Sequence, residues 1–286
     1  MVRPPAVAGS FYPTDERELA RQVDDFSMPV GAAGTAPPEE IPDNNQGKVR
    51  AIACVVPHAG FIYSGHVAGA VYSEIEIPTR CILIGPRHYP QGQPMSILTE
   101  GSWRTPLGEA RIDAALAAEI AHACPLLRED PVSHEREHSL EVQLPFLQRL
   151  SRHLLFVPIV LASDRYPILE ELGQALAQVI ATTIAAQTGP VLMIASTDMN
   201  HYESDAVTRT KDFRALERIL ALDPRGLYDT VRNESITMCG YAATVVTLVA
   251  ARELGAAKTR LVRYATSGDA NGDRSRVVGY AGIAIR

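Results

Sequence analysis

Polar residues stand where four apolar runs stop. The run ending in VVPHAG exits at Pro57-His58, and CILIG exits into Pro86-Arg87-His88. VLMIA exits into Ser196-Thr197-Asp198-Met199-Asn200-His201, and LVRYA exits into Thr266-Ser267-Gly268-Asp269. Imidazoles and carboxylates brought together can hold a metal ion or move a proton. Taken singly, each has a plainer use. A strand-end His is more often a hydrogen-bonded turn residue, Asp198 could cap the following segment, and Asp269 in SGDANGDRS reads as an Asx-turn. Recurrence at one structural position favours a shared site for His58, His88, Asp198, His201 and Asp269. His66, His122 and His153 lack that placement and are expected on helix or loop surfaces, without chemical duty.

A sulfur can join them. In ITMCGYAATVVTLVAARELG, Cys239 stands just before a helical pattern. Exposed amides and the helix dipole there are expected to lower a thiol pKa, and thiolate is the form that binds metal or attacks carbon. The competing reading is a packed Cys beside a close-approach Gly240. Two imidazoles and one thiolate, His58, His88 and Cys239, suit Zn, Cu or Fe with a coordination position left open. Cys54 and Cys81 lie inside apolar strands as small buried hydrophobes, and Cys124, before Pro125, ends a helix. In EREHSLEVQLPFL, His138 and Glu141 are three apart and would share a helix face, although Pro145 limits that helix. They read either as a charged helix start or as pocket groups that support the ligands or touch substrate.

These residues need a sheet to position them. Strand-length apolar runs occur at Ala51–Val56, Cys81–Ile84, Leu154–Val160, Val191–Ala195, Arg260–Ala265 and Val277–Ile285. Several are continuously apolar, as strands covered on both faces are. Helical stripes lie between them: Leu116, Ile120 and Ala123; Leu169, Leu172, Leu176 and Ile180; Leu216, Ile219 and Leu220; Val245, Leu248 and Val249, the last ending at Gly255. An opening helix is expected over 14–27, with Thr14 as N-cap and Asp15, in a capping box with Glu18, as its competitor. The pattern predicts one α/β domain over 1–286, with a central mixed, largely parallel sheet flanked by helices and an antiparallel edge near the C-terminus. Carboxyl ends of parallel strands line the ligand crevice of such sheets. The stretch 29–48, rich in Pro, Gly and acidic residues, is expected to be a flexible surface loop.

Composition narrows the rest. The chain has 286 residues, 46% of them hydrophobic, and a formal net charge of −6. No long basic run supports nucleic-acid binding, and no apolar run is long enough to span a bilayer. No signal peptide is read at MVRPPAVAGSFYP, and the four cysteines make no disulfide framework, so a cytoplasmic location is expected.

RPPAVAGSFYP, VVPHAGFIYSGHVAGAVY, ILIGPRHY, EHSLEVQLPFLQ, STDMNHYE, MCGYAATVV and TSGDANGDRSRVVGYAGIAI together resemble the Memo family, in that family's order and along nearly the whole chain. The resemblance is to the Memo component of the AmmeMemoRadiSam group and implies a fold similar to class III extradiol dioxygenases, which are non-haem Fe(II) enzymes. It implies metal-ligand candidates at His58, His88 and Cys239, with Asp198 and His201 as further pocket residues. In the dioxygenases a His near the position of His201 acts as acid/base; here Asp198 is expected to orient it. Where those enzymes use a carboxylate, this chain has Cys239, a softer ligand that shifts preference toward Cu(I), Zn or a redox-tuned iron, so ring cleavage does not transfer with the fold. Three readings follow. One is a metal-dependent redox enzyme, Fe(II)- or Cu-dependent with Zn as the alternative, acting on a small organic molecule. The second is a binding module for phosphotyrosine-type peptides or proteins, in which Arg87 helps receive an anion. The third is a metal-free hydrolase or transferase with Cys239 as nucleophile and His201 as base. Partner proteins of the group, among them a radical-SAM enzyme, are expected from the resemblance alone.

Overall fold

The computed structural model describes residues 1–27 and 47–286. Most of the expected 29–48 loop lies outside the described residues. All six expected strands occur, with ends displaced by no more than two residues: β1 Ala53–Val56, β2 Arg80–Pro86, β3 Leu155–Leu161, β4 Val191–Ser196, β5 Thr259–Thr266 and β6 Val277–Ile285. β1 and β4 are buried at every residue, and β2 and β3 at all but their first. Their unbroken apolar runs are therefore what a sheet covered on both faces demands.

The four parallel strands lie in the order β3-β2-β4-β1, followed by antiparallel β6, with β5 antiparallel beyond it. The order places β4 between β1 and β2, so chain-distant strand ends become neighbours. The other flank is extended by shorter strands: Gly108–Ile112 pairs with β3, Ser102–Thr105 with Gly108–Ile112, and Val2–Arg3 with Ser102–Thr105. Twelve strands form the sheet among the described residues.

Helices cover the sheet. α1 spans Glu16–Phe26, α2 Phe61–Glu74, α3 Tyr166–Ala185 and α4 Tyr241–Glu253. α3 and α4 pack together, with α4 against β2 and β4, while α2 packs against β5 and β6. The cap of α1 is Asp15, whose Oδ1 accepts from Glu18 N at 2.8 Å, and not Thr14. α4 is C-capped by Leu254, followed by Gly255 at φ +85°, a left-handed conformation that costs glycine little. No helix among the described residues is long and apolar enough to cross a membrane.

Candidate metal centre

The carboxyl ends of β1, β2 and β4 converge. The β1 exit is tied to the β4 exit through Asp198, whose Oδ1 accepts from His58 N at 2.8 Å and Ala59 N at 3.3 Å. The β2 exit runs beside β3, with Arg87 N donating to Leu161 O at 2.9 Å. Cys239 arrives from the start of α4. There Gly240 N donates to Thr197 Oγ1 at 2.9 Å, and a Cβ on Gly240 would collide with Ser196 O and Thr197. Gly240 is thus the close-approach glycine that lets the helix start reach the β4 exit. Cys239 Sγ accepts from Asp198 N at 3.3 Å and lies 3.2 Å from His58 Nε2.

The ligand atoms of His58, His88 and Cys239 all lie within 4.8 Å of one another. Tetrahedral donors about 2.0–2.3 Å from a zinc-sized ion lie about 3.3–3.8 Å apart; the 3.2 Å between Cys239 Sγ and His58 Nε2 is near that spacing, and the three together could hold a single ion. The rings of His58 and His88 are 5.2 Å apart, and His138 stacks on His88 at 4.4 Å. A cavity of about 620 Å³ opens over them, lined also by Phe11, Asp198, His201, Tyr202 and Thr237.

A buried hydrogen-bond chain fixes the tautomer of His58. Tyr72 OH donates to Gln143 Oε1 at 2.9 Å, so Gln143 Nε2 donates to Pro57 O and Ser196 Oγ, each at 2.9 Å. The single hydroxyl proton of Ser196 goes to Ser139 O at 2.6 Å. Ser196 Oγ can then only accept from His58 Nδ1, 3.0 Å away. The lone pair of His58 is left on Nε2, facing the sulfur.

Burial governs the charges. It pushes the His58 pKa well below the usual imidazole range, helped by His88, His138 and His201. Burial also draws His138 down to about 4, with Glu137 opposing and His88 assisting. The carboxyl of Asp198 is raised by burial, against the His58 amide and His201. The Cys239 thiol is raised as well, by burial and by Asp198, against hydrogen bonds from Asp198, Thr197 and Gly240. The expected lowering at a helix start is therefore overturned: the local amides act in the expected direction, but desolvation of a thiolate is the larger effect. A bound cation would reverse that balance.

Four sequence expectations change. His201 lines the cavity, but its Nδ1 lies 2.7 Å from the carbonyl of Thr237, not against Asp198. A carbonyl only accepts, so Nδ1 carries the proton and Nε2 keeps a lone pair. Asp198 is committed instead to the β1 exit. His138 lines the cavity, whereas Glu141 is fully buried away from it, ion-paired with Arg3 and accepting from Ala6 N, Val7 N and Tyr12 OH. Arg87 donates to Gly92 O at 2.6 Å and Gln93 O at 3.0 Å, bracing the following loop. Asp269 follows β5, which lies beyond β6 from β1. It accepts from Thr266 N in a capping box and pairs with Arg209 at 2.9 Å, fulfilling the Asx-type role.

Glu137, Gln143, Ser196 and Thr237 also shape the site, and nothing in their sequence spacing singles them out. Glu137 and Gln143 sat inside the EREHSLEVQ cluster, but helical spacing singled out His138 and Glu141. The chain is not one helix there: a short helix ends at Glu135 and a 3₁₀ turn begins at Glu141. Glu137 lies between them, fully buried.

A family profile described as "Memo-like protein" matches residues 3–284. A MEMO1 family protein from Methanopyrus kandleri is 39% identical over 291 residues, covering 100% of this chain and 99% of the relative. One from Caldivirga maquilingensis is 38% identical over 289 residues, with 100% and 99% covered. One from Thermotoga petrophila is 40% identical over 284 residues, with 98% of each covered.

Proposed function

The chain belongs to the Memo-like protein family, and from that premise we propose that it is a metal-dependent enzyme acting on a small organic molecule. His58, His88 and Cys239 hold one transition-metal ion, iron(II) or copper, with zinc as the alternative. The observation that carries this reading is the approach of these three ligand atoms to within 4.8 Å under an open cavity. When bound, the ion supplies Lewis acidity or a redox couple, and the thiolate tunes it toward softer or more reducing states.

The chain's own groups do the rest. Asp198 locks the His58 turn. His201, with its proton on Nδ1, offers Nε2 to a bound molecule and serves as the general base, and as the acid once charged. The aromatic side chains of Phe11, Tyr202 and Tyr280 give the cavity apolar walls.

The test is anaerobic purification followed by reconstitution with iron, copper and zinc, and elemental analysis. The expected result is about one ion per chain, lost in His58→Ala, His88→Ala and Cys239→Ala. Trace metal throughout, at equal levels in wild type and variants, rejects the reading. A second reading draws on the 3.2 Å separation of Cys239 Sγ from His58 Nε2, which resembles a nucleophile–base pair. Desolvation of the half-buried thiol, which raises its pKa, disfavours it. Fast alkylation of Cys239 that is indifferent to chelators and added metal would select it. The peptide-binding reading is less supported, because Arg87 is not among the residues that line the cavity and its Nη1 turns to the carbonyls of Gly92 and Gln93.

A further inference from the structure

The two ring nitrogens of His88 have different neighbours. Nδ1 lies 2.8 Å from Glu137 Oε1, and the backbone N of His88 donates to Glu137 Oε2 at 2.6 Å. We propose that Glu137 is the positioning residue of this centre: its two oxygens grip His88 by ring and backbone at once, and so aim Nε2 at His58 and Cys239. The proposal rests on the metal reading above and concerns a residue outside the three ligands.

An ionised carboxylate can only accept, and a neutral imidazole carries one N–H. The proton of His88 must then sit on Nδ1, and the lone pair on Nε2. Rotating the ring would exchange that hydrogen bond for a C–H contact. Holding the backbone N–H with the second oxygen fixes the frame from which the ring projects. From the other side the ring of His138 stacks on His88 at 4.4 Å, with its Nδ1 at 3.6 Å from Glu137 Oε1, beyond hydrogen-bond reach.

Glu137 is itself held. Oε1 also accepts from Ser139 N at 2.9 Å, and its backbone carbonyl accepts from Arg3 Nη2 at 2.7 Å. The side chain is fully buried, so water does not compete for its oxygens. Burial alone would raise its carboxyl pKa. The three hydrogen bonds from the His88 ring, the His88 amide and Ser139 N oppose that and favour the ionised form, which only accepts. The plainer alternative is that Glu137 only closes the turn to Ser139. That role needs one oxygen and makes no demand on His88.

The two roles separate in Glu137→Gln. The amide keeps the size but has one acceptor where the carboxylate has two: with its oxygen in the place of Oε1 it accepts from Ser139 N and His88 Nδ1–H but sets its N–H₂ against the His88 amide, and turned the other way it accepts from that amide and donates to an unprotonated Nδ1 at the expense of Ser139 N. Long-range ¹H–¹⁵N NMR of the metal-free protein reads the tautomer directly, and competition against a chromogenic chelator reads the affinity for zinc or iron(II). The expected result is a single Nδ1–H form of His88 in wild type, a mixture in Glu137→Gln, and metal affinity lowered about 10–100-fold. Either orientation leaves one buried N–H without its acceptor, so thermal stability falls under both roles and does not separate them. The proposal is overturned if wild-type His88 carries its proton on Nε2, or if Glu137→Gln leaves both tautomer and affinity unchanged. If the variant does not fold, the wild-type spectrum still decides. A wild-type chain that takes up no metal yet shows pure Nδ1–H rejects the metal reading and leaves the grip of Glu137 on His88 standing.

Discussion

Cys239 experiences two opposing forces. The amides of Asp198 and Gly240 and the start of α4 favour thiolate, while burial and the nearby Asp198 carboxyl favour thiol. In the metal-free protein burial wins, so reaction with iodoacetamide near neutral pH should be slower than for a free Cys and should accelerate as pH rises. A bound ion supplies the missing positive charge, so loading should abolish alkylation. Chelation should restore only the slow rate. Cys239→Ser exchanges sulfur for a weak, neutral oxygen donor and should lower affinity for a soft ion at least tenfold, measured by the same chelator competition. Fast labelling of metal-free Cys239 at pH 7 would contradict the account. At this scale the sequence was partly legible. His58, His88, Asp198 and His201 could be found because each directly follows an apolar run. Glu137 and Thr237 could not, because their duties are set by contacts with residues tens of positions away. The partner of His201 was misassigned for the same reason: nearness in sequence favoured Asp198, and the fold supplied a carbonyl from the segment before α4.

The Val2–Arg3 strand braces the site from outside the parallel core. The guanidinium of Arg3 donates to His134 O at 2.6 Å, Glu137 O at 2.7 Å and Glu141 Oε2 at 2.5 Å. It therefore clamps the irregular 134–141 segment that carries Glu137 and His138. Glu141 returns the hold through Ala6 N, Val7 N and Tyr12 OH. Both partners are buried, so breaking the pair leaves an uncompensated charge. Arg3→Met and Glu141→Gln should each destabilise the fold by about 3–5 kcal/mol, read from urea midpoints at constant slope. Arg3→Met combined with Glu141→Gln should cost less than these two single changes added together, since no lone charge remains. A double variant whose loss equals that sum would mean that the pair is not coupled. Elements such as β1 and β4 were readable because burial on both faces writes an unbroken apolar run. Val2–Arg3, Ser102–Thr105 and Gly108–Ile112 were not. They are short, and GEARI buries only Ala110 and Ile112 of its five residues. Their pairing is decided by where the N-terminus docks.

Over the whole molecule, stability depends on how many protons the native and unfolded chains bind. His134 is fully buried, and its pKa falls to about 3, through burial first and Arg3 second. The unfolded chain takes up that proton near pH 6.5 and the native chain does not, so this group withdraws stability as pH falls below 6.5. His138, drawn down to about 4, acts in the same direction. Asp212 acts in the opposite one. Buried beneath the β4 exit, it accepts from Asn200 N and Tyr264 OH at 2.8 and 2.7 Å, and burial raises its carboxyl to about 7. The native chain holds that proton between about pH 4 and 7 while the unfolded chain has lost it. This contribution is therefore full below the unfolded pKa of 3.8 and is lost as pH rises through 7. Between pH 7 and pH 5 each group shifts stability by about 2 kcal/mol, with opposite signs. His134→Asn should thus shrink the acid loss between those pH values by about 2 kcal/mol, and Asp212→Asn should enlarge it by a similar amount. Both are measured by urea unfolding of chelated protein at each pH. The comparison is between two pH values within one variant, so the cost of a cavity or a lost hydrogen bond cancels. If both substitutions moved the difference in the same direction, one of the two buried groups would not titrate as its surroundings dictate.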